Sequence, residues 1–409
     1  MAIRQAVEWA RSVFFHLSTR RLDDDTRRYR TLLYHGHFYD VESPEDYRFL
    51  DRFGKVHRFR KDGIWLVTGF DEVERALNSD NVFTTKDVDD FKLFDPTGIL
   101  IRAEEGRHED VLGIFRESLM SYKHPDYVAS FMKRLEGVEE ELGGQELVDF
   151  KRDVTEKLVI RSYGHLIGLV DEDVRLLEHH FDDVEIMKTV QWLDDHLRAT
   201  GITGYRAVRT DSIIPAFQSA IAKGAITEDE GMNIIKFFLV ASTENISTIF
   251  QRIFQMVVSD GSLRRRLLKS TQEHPKFIEE VIRLHPPFPW LKRFCVEEND
   301  LLGTVIPAGA TLLLDVRGAN RSTVKFDHPD TLSLDANKFR HLGFGSGLHK
   351  CVGMGMARAQ SRLFLVHFLK RAERFEILEM EWMRLNVVNN LKTKTMKVRR
   401  RPHSDMNGG

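Results

Sequence analysis

The stretch FGSGLHKCVG, residues 344–353, combines residue types that could bind a metal ion. It holds three glycines, a histidine and Cys351, one of only two cysteines in a chain of 409 residues. The thiolate form of cysteine is both a nucleophile and a metal ligand, and a helix N-terminus stabilises it through free amide N–H groups and the helix dipole. A helical pattern follows Cys351, so the sequence predicts a thiolate at a helix N-terminus. The alternative is a loop cysteine that only packs against its neighbours.

The glycines of this loop predict a tight turn that a flat ligand can approach closely. Gly345 and Gly347 permit backbone conformations that other residues avoid, and they carry no side chain to block a ligand. Gly353 is expected to let the backbone lie near the sulfur. The loop taken alone leaves a metal ligand and a packed structural cysteine both open.

Charge and composition exclude several classes of protein. The formal net charge is −2, so there is no general excess of basic residues for binding nucleic acid or a membrane surface. Cys295 and Cys351 do not make a disulfide framework and fit a reducing compartment. Arg4, Glu8 and Arg11 interrupt the apolar stretch that a signal peptide needs, and no segment has the roughly 20 apolar residues that span a bilayer. We therefore expect a cytoplasmic protein without a nucleic-acid or membrane partner.

The elements that must position the loop are mostly helices. From about residue 105 to 285 the pattern is helical, and the run VGMGMARAQSRLFLVHFLKRA after Cys351 predicts another long helix. Asp71 is expected to cap a short helix, DEVERALNS. No linker-like break divides the chain. We predict one mainly α domain over residues 1–398 and a disordered tail over 399–409.

Small β elements flank the helical body. VHRFRKDGIWLVTG predicts a hairpin around Lys61, Asp62 and Gly63. LLGTVIPAGATLLLDV predicts two strands around the turn at Pro307, and FEIL near the C-terminus predicts a further strand. These short runs predict small sheets beside the helices.

One helix carries an unusual polar centre. Thr227 and Glu230 form a capping-box pattern that opens a helix running to about Asp260. Its middle, ASTENIST (residues 241–248), lies between the apolar runs IIKFFLV and IFQRIFQMVV. Burying such a polar block is costly unless something uses it. The alternative is that these side chains bond to one another and kink the helix.

A charged pair precedes two prolines in EEVIRLHPP. Glu280 and Arg283 are three residues apart and so share one helix face, which Pro286 and Pro287 end. A solvated surface ion pair is the simplest interpretation.

The cysteine loop resembles the haem-binding loop of the cytochrome P450 family, F-G-x-G-x-H-x-C-x-G. The resemblance implies the cytochrome P450 fold, haem b (iron protoporphyrin IX) as cofactor, and Cys351 as the thiolate ligand of the iron. It also implies that His349 lies near a haem propionate and that Phe344 packs beside the ligand loop. Gly353 belongs to the same cofactor-binding set.

Matches to this family continue along the chain from about residue 55 to 398. Glu280 and Arg283 resemble the family's E-x-x-R pair, which holds the core beside the haem loop. The arginine that usually joins this pair falls at Ala336 here, which leaves Arg340 or His341 as substitutes.

Two further positions match residues with which the family neutralises the haem propionates. These are Arg293 and His108. The arginine that the family usually has four residues after this histidine is Leu112 here, and Arg107 is the expected supplement.

The polar block of the long helix resembles the family's oxygen-binding segment. Ala241 and Ser242 match its small pair and Glu244 its acid, but Asn245 stands where the family usually has threonine. In the family, the acid and the alcohol relay protons to bound dioxygen. The replacement leaves three hypotheses open.

We prefer ordinary O2-dependent monooxygenation, in which Asn245 with an ordered water, or the Ser242 hydroxyl, assists. The second hypothesis is another haem-thiolate reaction, such as group transfer to a nitrogen substrate or a cyclisation. The third is a haem sensor without catalysis, against which the retained Glu244 argues.

The substrate is expected to be a small, apolar or aromatic biosynthetic intermediate, by analogy with the family. Its contacts are predicted at the following positions: Phe91, Phe94, Ala241, Phe288, Trp290 and Leu391. Each of these is more often ordinary core.

Electrons are expected from a separate protein, because the chain has no G-x-G-x-x-G dinucleotide motif after a strand and no room for a fused reductase. A basic cluster near the cysteine loop would steer an acidic ferredoxin or flavodoxin, itself served by a reductase. The cluster consists of Lys338, Arg340, His341, His349 and Lys350. Scattered surface charges are the alternative.

Overall fold

The computed structural model describes residues 22–38, 43–86, 88, 98–103, 105–181, 186–335, 340–385 and 390–401. Over these residues the chain is mainly helical with two small sheets, as predicted. Within the described residues, no helix is both long and apolar enough to cross a bilayer.

The helices form the bulk of the molecule. Their bounds are α1 Asp24–His35, α2 Pro44–Asp51, α3 Phe70–Leu77, α4 Glu105–Leu119, α5 Pro125–Glu141, α6 Lys157–Ile167, α7 Asp171–His180, α8 Ile186–Arg198, α9 Ile213–Ala222, α10 Glu228–Ser259, α11 Gly261–Lys269, α12 His274–Leu284, α13 Val316–Ala319 and α14 Met354–Leu369. A π-helical segment, Lys151–Glu156, leads into α6.

The longest helix, α10, passes through the middle of the core. Its capping box is present, since Thr227 Oγ1 accepts from the Glu230 N–H at 3.1 Å and Glu230 Oε2 accepts from the Thr227 N–H at 2.7 Å. Phe250 of α10 stacks on Phe364 of α14, with ring centroids 4.3 Å apart. The main hydrophobic cluster surrounds these two helices. They are therefore the rigid elements between which a site can be built.

A five-stranded sheet lies beside the helical body. Its strands are β1 Val56–Arg58, β2 Trp65–Val67, β3 Phe83–Thr84, β5 Trp290–Cys295 and β6 Thr311–Asp315, in the order β1-β2-β6-β5-β3. The predicted hairpin around Lys61 to Gly63 is confirmed, because β1 and β2 pair antiparallel with Val56 opposite Val67. β2 and β6 are parallel, so this sheet joins segments that are far apart in the sequence.

A three-stranded sheet packs against α10 through β7 and β8, in the order β4-β8-β7. Its strands are β4 Leu147–Asp149, β7 Phe375–Leu385 and β8 Asn390–Arg400. FEIL is confirmed as the start of β7. β8 continues two residues past the predicted domain boundary at 398.

Two local predictions are wrong. The N-cap of α3 is Gly69, and Asp71 lies in the first helical turn. Its negative charge there still stabilises the helix through the helix dipole. Of the two strands predicted around Pro307, only the second forms. The first is a loop with a single bridge between Asn299 and Ile306, because β6 takes β5 as its antiparallel partner.

Candidate active site

A cavity of about 280 Å³ lies between α10 and the loop that precedes α14. Ala241, Ser242 and Asn245 line it from α10. Phe344, His349, Cys351 and Gly353 line it from the cysteine loop, and His108 and Phe288 also face it. The structure thus brings most of the predicted site residues to one cavity.

Cys351 is open to the cavity and otherwise enclosed by protein. Its N–H donates to the Phe344 carbonyl at 2.9 Å, which closes the loop. Burial raises the pKa of the Cys351 thiol, and the amides of Gly353 and Met354 together with Arg358 only partly oppose this. The predicted amide donors are present, but they do not by themselves make a thiolate. A bound cation would supply the remaining stabilisation.

The loop glycines have distinct roles. Gly345 and Gly347 adopt left-handed φ values of +68° and +71°, as a tight turn requires. A Cβ on Gly347 would lie 2.2 Å from the Leu77 carbonyl oxygen at the end of α3. Gly353 has an ordinary φ of −83°, and its Cβ would lie 4.0 Å from the sulfur. The backbone of Gly353 lies near the sulfur, as predicted, and a Cβ at this position would make only an ordinary contact with it.

Imidazoles and a guanidinium gather at one end of the site. The rings of His108 and His349 have centroids 5.1 Å apart. His349 Nε2 contacts Thr85 Oγ1 at 3.1 Å and Asp80 Oδ1 at 3.4 Å, while its buried Nδ1 has no hydrogen-bond partner among the described residues.

Arg293 is buried near the same carboxylate of Asp80. Burial lowers the pKa of Arg293 to about 10, and Asp80 opposes the shift only in part. Its Nη1 donates to the Lys292 carbonyl, and its Nε has no acceptor within the described part of the chain. A buried cation with an unsatisfied donor fits a ligand that carries carboxylates.

Thr85 and Asp80 were missed from the sequence. They follow α3 and contact His349, which lies more than 260 residues later in the sequence. No motif marks them. Only the folded sheet brings β3 beside the cysteine loop.

Arg107 does not supplement these cations as predicted. Its guanidinium donates to Glu230 and to the Ala225 carbonyl, both at 3.0 Å. Leu112 packs against the main hydrophobic cluster. The expected second arginine is therefore not replaced from this helix.

The rest of the cavity is mostly apolar. Its wall includes Leu119, Val159, Ile246, Ile249, Met356 and Ala357. Among the described residues, no group of three or more histidine, cysteine or acidic side chains could hold a metal ion. The residues fit a haem: a thiol for the iron, cations for the propionates and hydrocarbon for the macrocycle.

The polar block of α10 divides between two sides of the helix. Ser242 Oγ donates to the Phe238 carbonyl at 2.6 Å, and Asn245 Nδ2 donates to the Ala241 carbonyl at 2.8 Å. Both side chains belong to residues that line the cavity. In both bonds the acceptor is a main-chain carbonyl one turn earlier, whereas the alternative interpretation of this block expected its side chains to bond to one another and kink the helix.

Glu244 does not line this cavity. It faces a separate polar pocket, too small for more than about one water molecule, with Lys151, Gln251 and Thr393. The three residues predicted to be catalytic are therefore not grouped at one point. Ser242 and Asn245 meet the cavity, and Glu244 lies behind them.

Comparison with known proteins agrees with this geometry. The family model described as cytochrome P450 matches residues 255–393. The chain is 24% identical over 380 residues to cytochrome P450 144 of Mycobacterium tuberculosis, covering 83% of this chain and 86% of that protein. The CYP109E1 structure from Bacillus megaterium, solved with testosterone, superposes with a TM-score of 0.77 at 19% identity, covering 88% of this chain and 99% of the other.

The chain belongs to the cytochrome P450 family. It is a haem-dependent oxidoreductase of the monooxygenase type. The mycinamicin IV hydroxylase/epoxidase of Micromonospora griseorubida is 31% identical over 168 residues, which cover 40% of this P450 and 42% of that enzyme.

The E-x-x-R pair of this P450 is fully buried. Arg283 Nε and Nη2 donate to the two Glu280 oxygens at 2.7 and 2.8 Å. Arg283 also donates to four backbone carbonyls, those of Asn320, His328, Pro329 and Thr331. The surface-pair interpretation is therefore wrong.

The expected third partner of this pair is a backbone group. The Ser333 N–H donates to Glu280 Oε2 at 3.0 Å. Arg340 is exposed, and His341 contacts Glu279 instead. Ala336 lies outside the described residues. Neither proposed substitute joins Glu280 through a described contact.

The predicted substrate contacts divide into three groups. Ala241 and Phe288 line the cavity. Trp290 does not: its ring packs edge-on against Phe38 and under the Arg317 guanidinium. Phe91 and Phe94 lie outside the described residues, and the description of Leu391 in β8 does not extend to its side chain. Cavity-lining residues missed from the sequence include Ile101, Phe238 and Val316.

The predicted basic cluster is only partly on the surface. The side chains of His341 and His349 are only 5% and 6% exposed, Lys350 is half-buried and Arg340 is exposed. Lys338 lies outside the described residues. The two histidines serve the interior of the loop, so they cannot steer a partner.

Proposed function

We propose that this P450 is a haem b monooxygenase of small apolar molecules in which the Cys351 thiolate would bind the haem iron. The observation that carries the proposal is the sulfur of Cys351 facing a cavity whose opposite wall is the polar centre of α10. When bound, a haem with a thiolate ligand supplies the activation of dioxygen.

The residues around the cavity have separate roles in binding the cofactor and the substrate. His108, His349 and Arg293 would bind the haem carboxylates, because two imidazoles and a buried guanidinium gather at one end of the site. Phe344 and Gly353 complete the cofactor contacts from the cysteine loop. Ala241, Phe288 and their apolar neighbours exclude water and orient an apolar substrate.

Ser242 and Asn245 hold hydrogen-bonding groups beside the reacting position. Their side chains bond to carbonyls one turn earlier in α10, as the hydroxyl of Thr243 also does at 2.6 Å. The side-chain amide of Asn245 thus makes the same kind of hydrogen bond to the helix backbone that a threonine hydroxyl can make. This contact concerns helix geometry only, and the similarity to hydroxylases is what supports ordinary monooxygenation over group transfer, cyclisation or a sensor.

The electron donor is a separate ferredoxin or flavodoxin with its reductase. Arg340 and Lys350 are the predicted cations that remain at least partly exposed near the cysteine loop. An acidic partner would meet them there. The similarity to a hydroxylase/epoxidase over 168 residues supports oxygen insertion into a small biosynthetic molecule.

The first experiment is an absorption spectrum of the purified, reduced protein under carbon monoxide. We expect a Soret band at the red-shifted position typical of thiolate ligation, and its loss in Cys351→Ala. The matched control is Cys295→Ala, since Cys295 is buried away from the cavity. A wild-type band at the histidine-ligated position, or no haem at all, would refute the proposal.

A further inference from the structure

Glu279 connects α12 to the cysteine loop. It precedes the E-x-x-R glutamate by one residue, and its carboxylate turns to a different set of partners. Arg358 Nε and Nη2 donate to its two oxygens at 2.6 and 2.7 Å, and His341 Nε2 lies 3.1 Å from Oε2. One carboxylate therefore holds a guanidinium from α14 and an imidazole from the loop before it.

Both of these partners lie close to the ring of Phe344. The Arg358 guanidinium lies 4.6 Å from the Phe344 ring centroid, and the His341 ring centroid lies 5.8 Å from it. The Phe344 carbonyl accepts the Cys351 N–H. Movement of the ring is thus coupled to the residue that carries the sulfur.

The same group of residues also fixes the backbone of the loop. His341 Nδ1 accepts the Gly343 N–H at 3.0 Å, so the imidazole spans from Glu279 to the loop. A Cβ on Gly343 would lie 2.8 Å from Ile282 Cγ2, which shows how closely the loop is pressed on α12. The loop is therefore held through both its side chains and its main chain.

The charges in this cluster favour the observed arrangement. Burial alone would raise the pKa of Glu279, but Arg358 and His341 outweigh it and lower that pKa to about 2. The Glu279 and Arg358 side chains are each 36% exposed, so solvent screens the pair and its contribution to overall stability is modest. The two parallel hydrogen bonds instead give it a defined geometry.

We propose that Glu279 is a positioning residue for the cysteine ligand: by holding Arg358 and His341 against Phe344, it keeps the Cys351 sulfur in place in the cavity. The inference rests on the proposed ligand role of Cys351. It is separate from the E-x-x-R pair, because Arg283 ties Glu280 to the backbone of residues 320–331.

The test is Glu279→Gln in the haem-loaded full chain. Glutamine keeps the size of the side chain, but it removes the negative charge and replaces one acceptor oxygen by an NH2 group, so the two parallel bonds from Arg358 cannot both be kept. The matched control is Glu178→Gln, because Glu178 makes a partly buried two-bond pair with Arg161, at 2.9 and 3.0 Å, in the helical body. Both variants lose a comparable ion pair.

Two quantities are measured for each variant. One is the free energy of unfolding, and the other is the rate at which the carbon monoxide complex loses its thiolate-type Soret band on mild heating. We expect the band to be lost about tenfold faster in Glu279→Gln than in the wild type, and at the wild-type rate in Glu178→Gln. Equal rates of loss in the two variants would overturn the proposal, whatever their stabilities.

A second variant covers the case in which Glu279→Gln does not fold. Arg358→Lys keeps the positive charge but cannot make two parallel bonds to a carboxylate. We expect it to lose the thiolate band faster than the wild type as well. A wild-type rate would overturn the proposal. A wild-type protein that never shows the thiolate band would instead refute the ligand role of Cys351.

Discussion

Asn245 shows how one side chain can keep a structural contact and change the chemistry beside it. Its amide N–H satisfies the Ala241 carbonyl, as a hydroxyl would. Yet an amide cannot pass on a proton as an alcohol and bound water do. Replacing threonine by asparagine at this position therefore changes how protons are delivered to the site and leaves the helix geometry unchanged.

We expect Asn245→Thr to hold or raise the product formed per electron consumed, if oxygen insertion is the native reaction. The threonine hydroxyl can make the same bond to Ala241 and add a proton-relaying group. Product, hydrogen peroxide and consumed reducing equivalents are measured together with an apolar substrate. A fall in native product with more peroxide or hydroxylated by-product would point to one of the other haem-thiolate reactions.

Asp315 is a buried acid that should make stability depend on pH. Its Oδ1 accepts the Gly318 N–H at 2.9 Å and caps α13, while its buried Oδ2 has no hydrogen-bond partner in the described structure. Burial raises the pKa of Asp315 to about 7. In the unfolded chain an aspartate loses its proton near pH 4. The folded state is therefore penalised as pH rises from about 4 to 7.

We expect Asp315→Asn to remove this penalty, because asparagine keeps the capping oxygen and mimics the protonated acid. The free energy of unfolding, measured by urea titration at pH 5 and pH 7, should fall by about 2 kcal/mol more in the wild type than in the variant. Identical pH dependence in the two proteins would show that Asp315 keeps an ordinary pKa when folded.

At the scale of elements, α12 connects the helical body to the long loop before the cysteine. Arg283 does this by donating to Glu280 and to four carbonyls between residues 320 and 331. Because both partners are buried, removal of one leaves an uncompensated charge. The pair is thus structural, and it anchors the segment that leads to the haem site.

We expect Arg283→Met to lower the free energy of unfolding by roughly 4 kcal/mol, or to prevent folding. The double variant Glu280→Gln with Arg283→Met should lose less than the sum of the single variants, because the stranded carboxylate is gone. Arg266→Met is the control, since Arg266 makes a comparable two-bond pair with Glu273 on the surface. A similar loss for the two arginines would contradict the buried-pair argument.

Element boundaries were predictable where a local signal set them. The start of α10 was predictable because the capping-box bonds between Thr227 and Glu230 are made within one turn. The helix ends at Ser259, one residue before the expected Asp260. The first strand predicted around Pro307 failed for the opposite reason. Whether a short apolar run becomes a strand depends on a partner elsewhere in the chain, and β6 paired with β5.

At the scale of the whole molecule, the candidate site was predictable in its motif residues and unpredictable in their neighbours. Cys351, His349 and His108 meet in one cavity as the family resemblance implied. Thr85 reaches His349, and Ser333 completes the Glu280 pair, only through tertiary packing. Trp290 is an aromatic residue of the type that lines pockets, but its side chain packs in the hydrophobic cluster beside the sheet. Strand register decides which face of the sheet a side chain occupies.

The close approach of Gly347 to the end of α3 has a consequence for how this protein tolerates change. With the Leu77 carbonyl so near, the loop rests on the last turn of a helix that precedes it by about 270 residues. Insertion of a single residue within α3 would push that turn into the loop and displace the sulfur. A scan of insertions should therefore find α3, none of whose residues lines the cavity, among the segments where haem incorporation is least tolerant of added length.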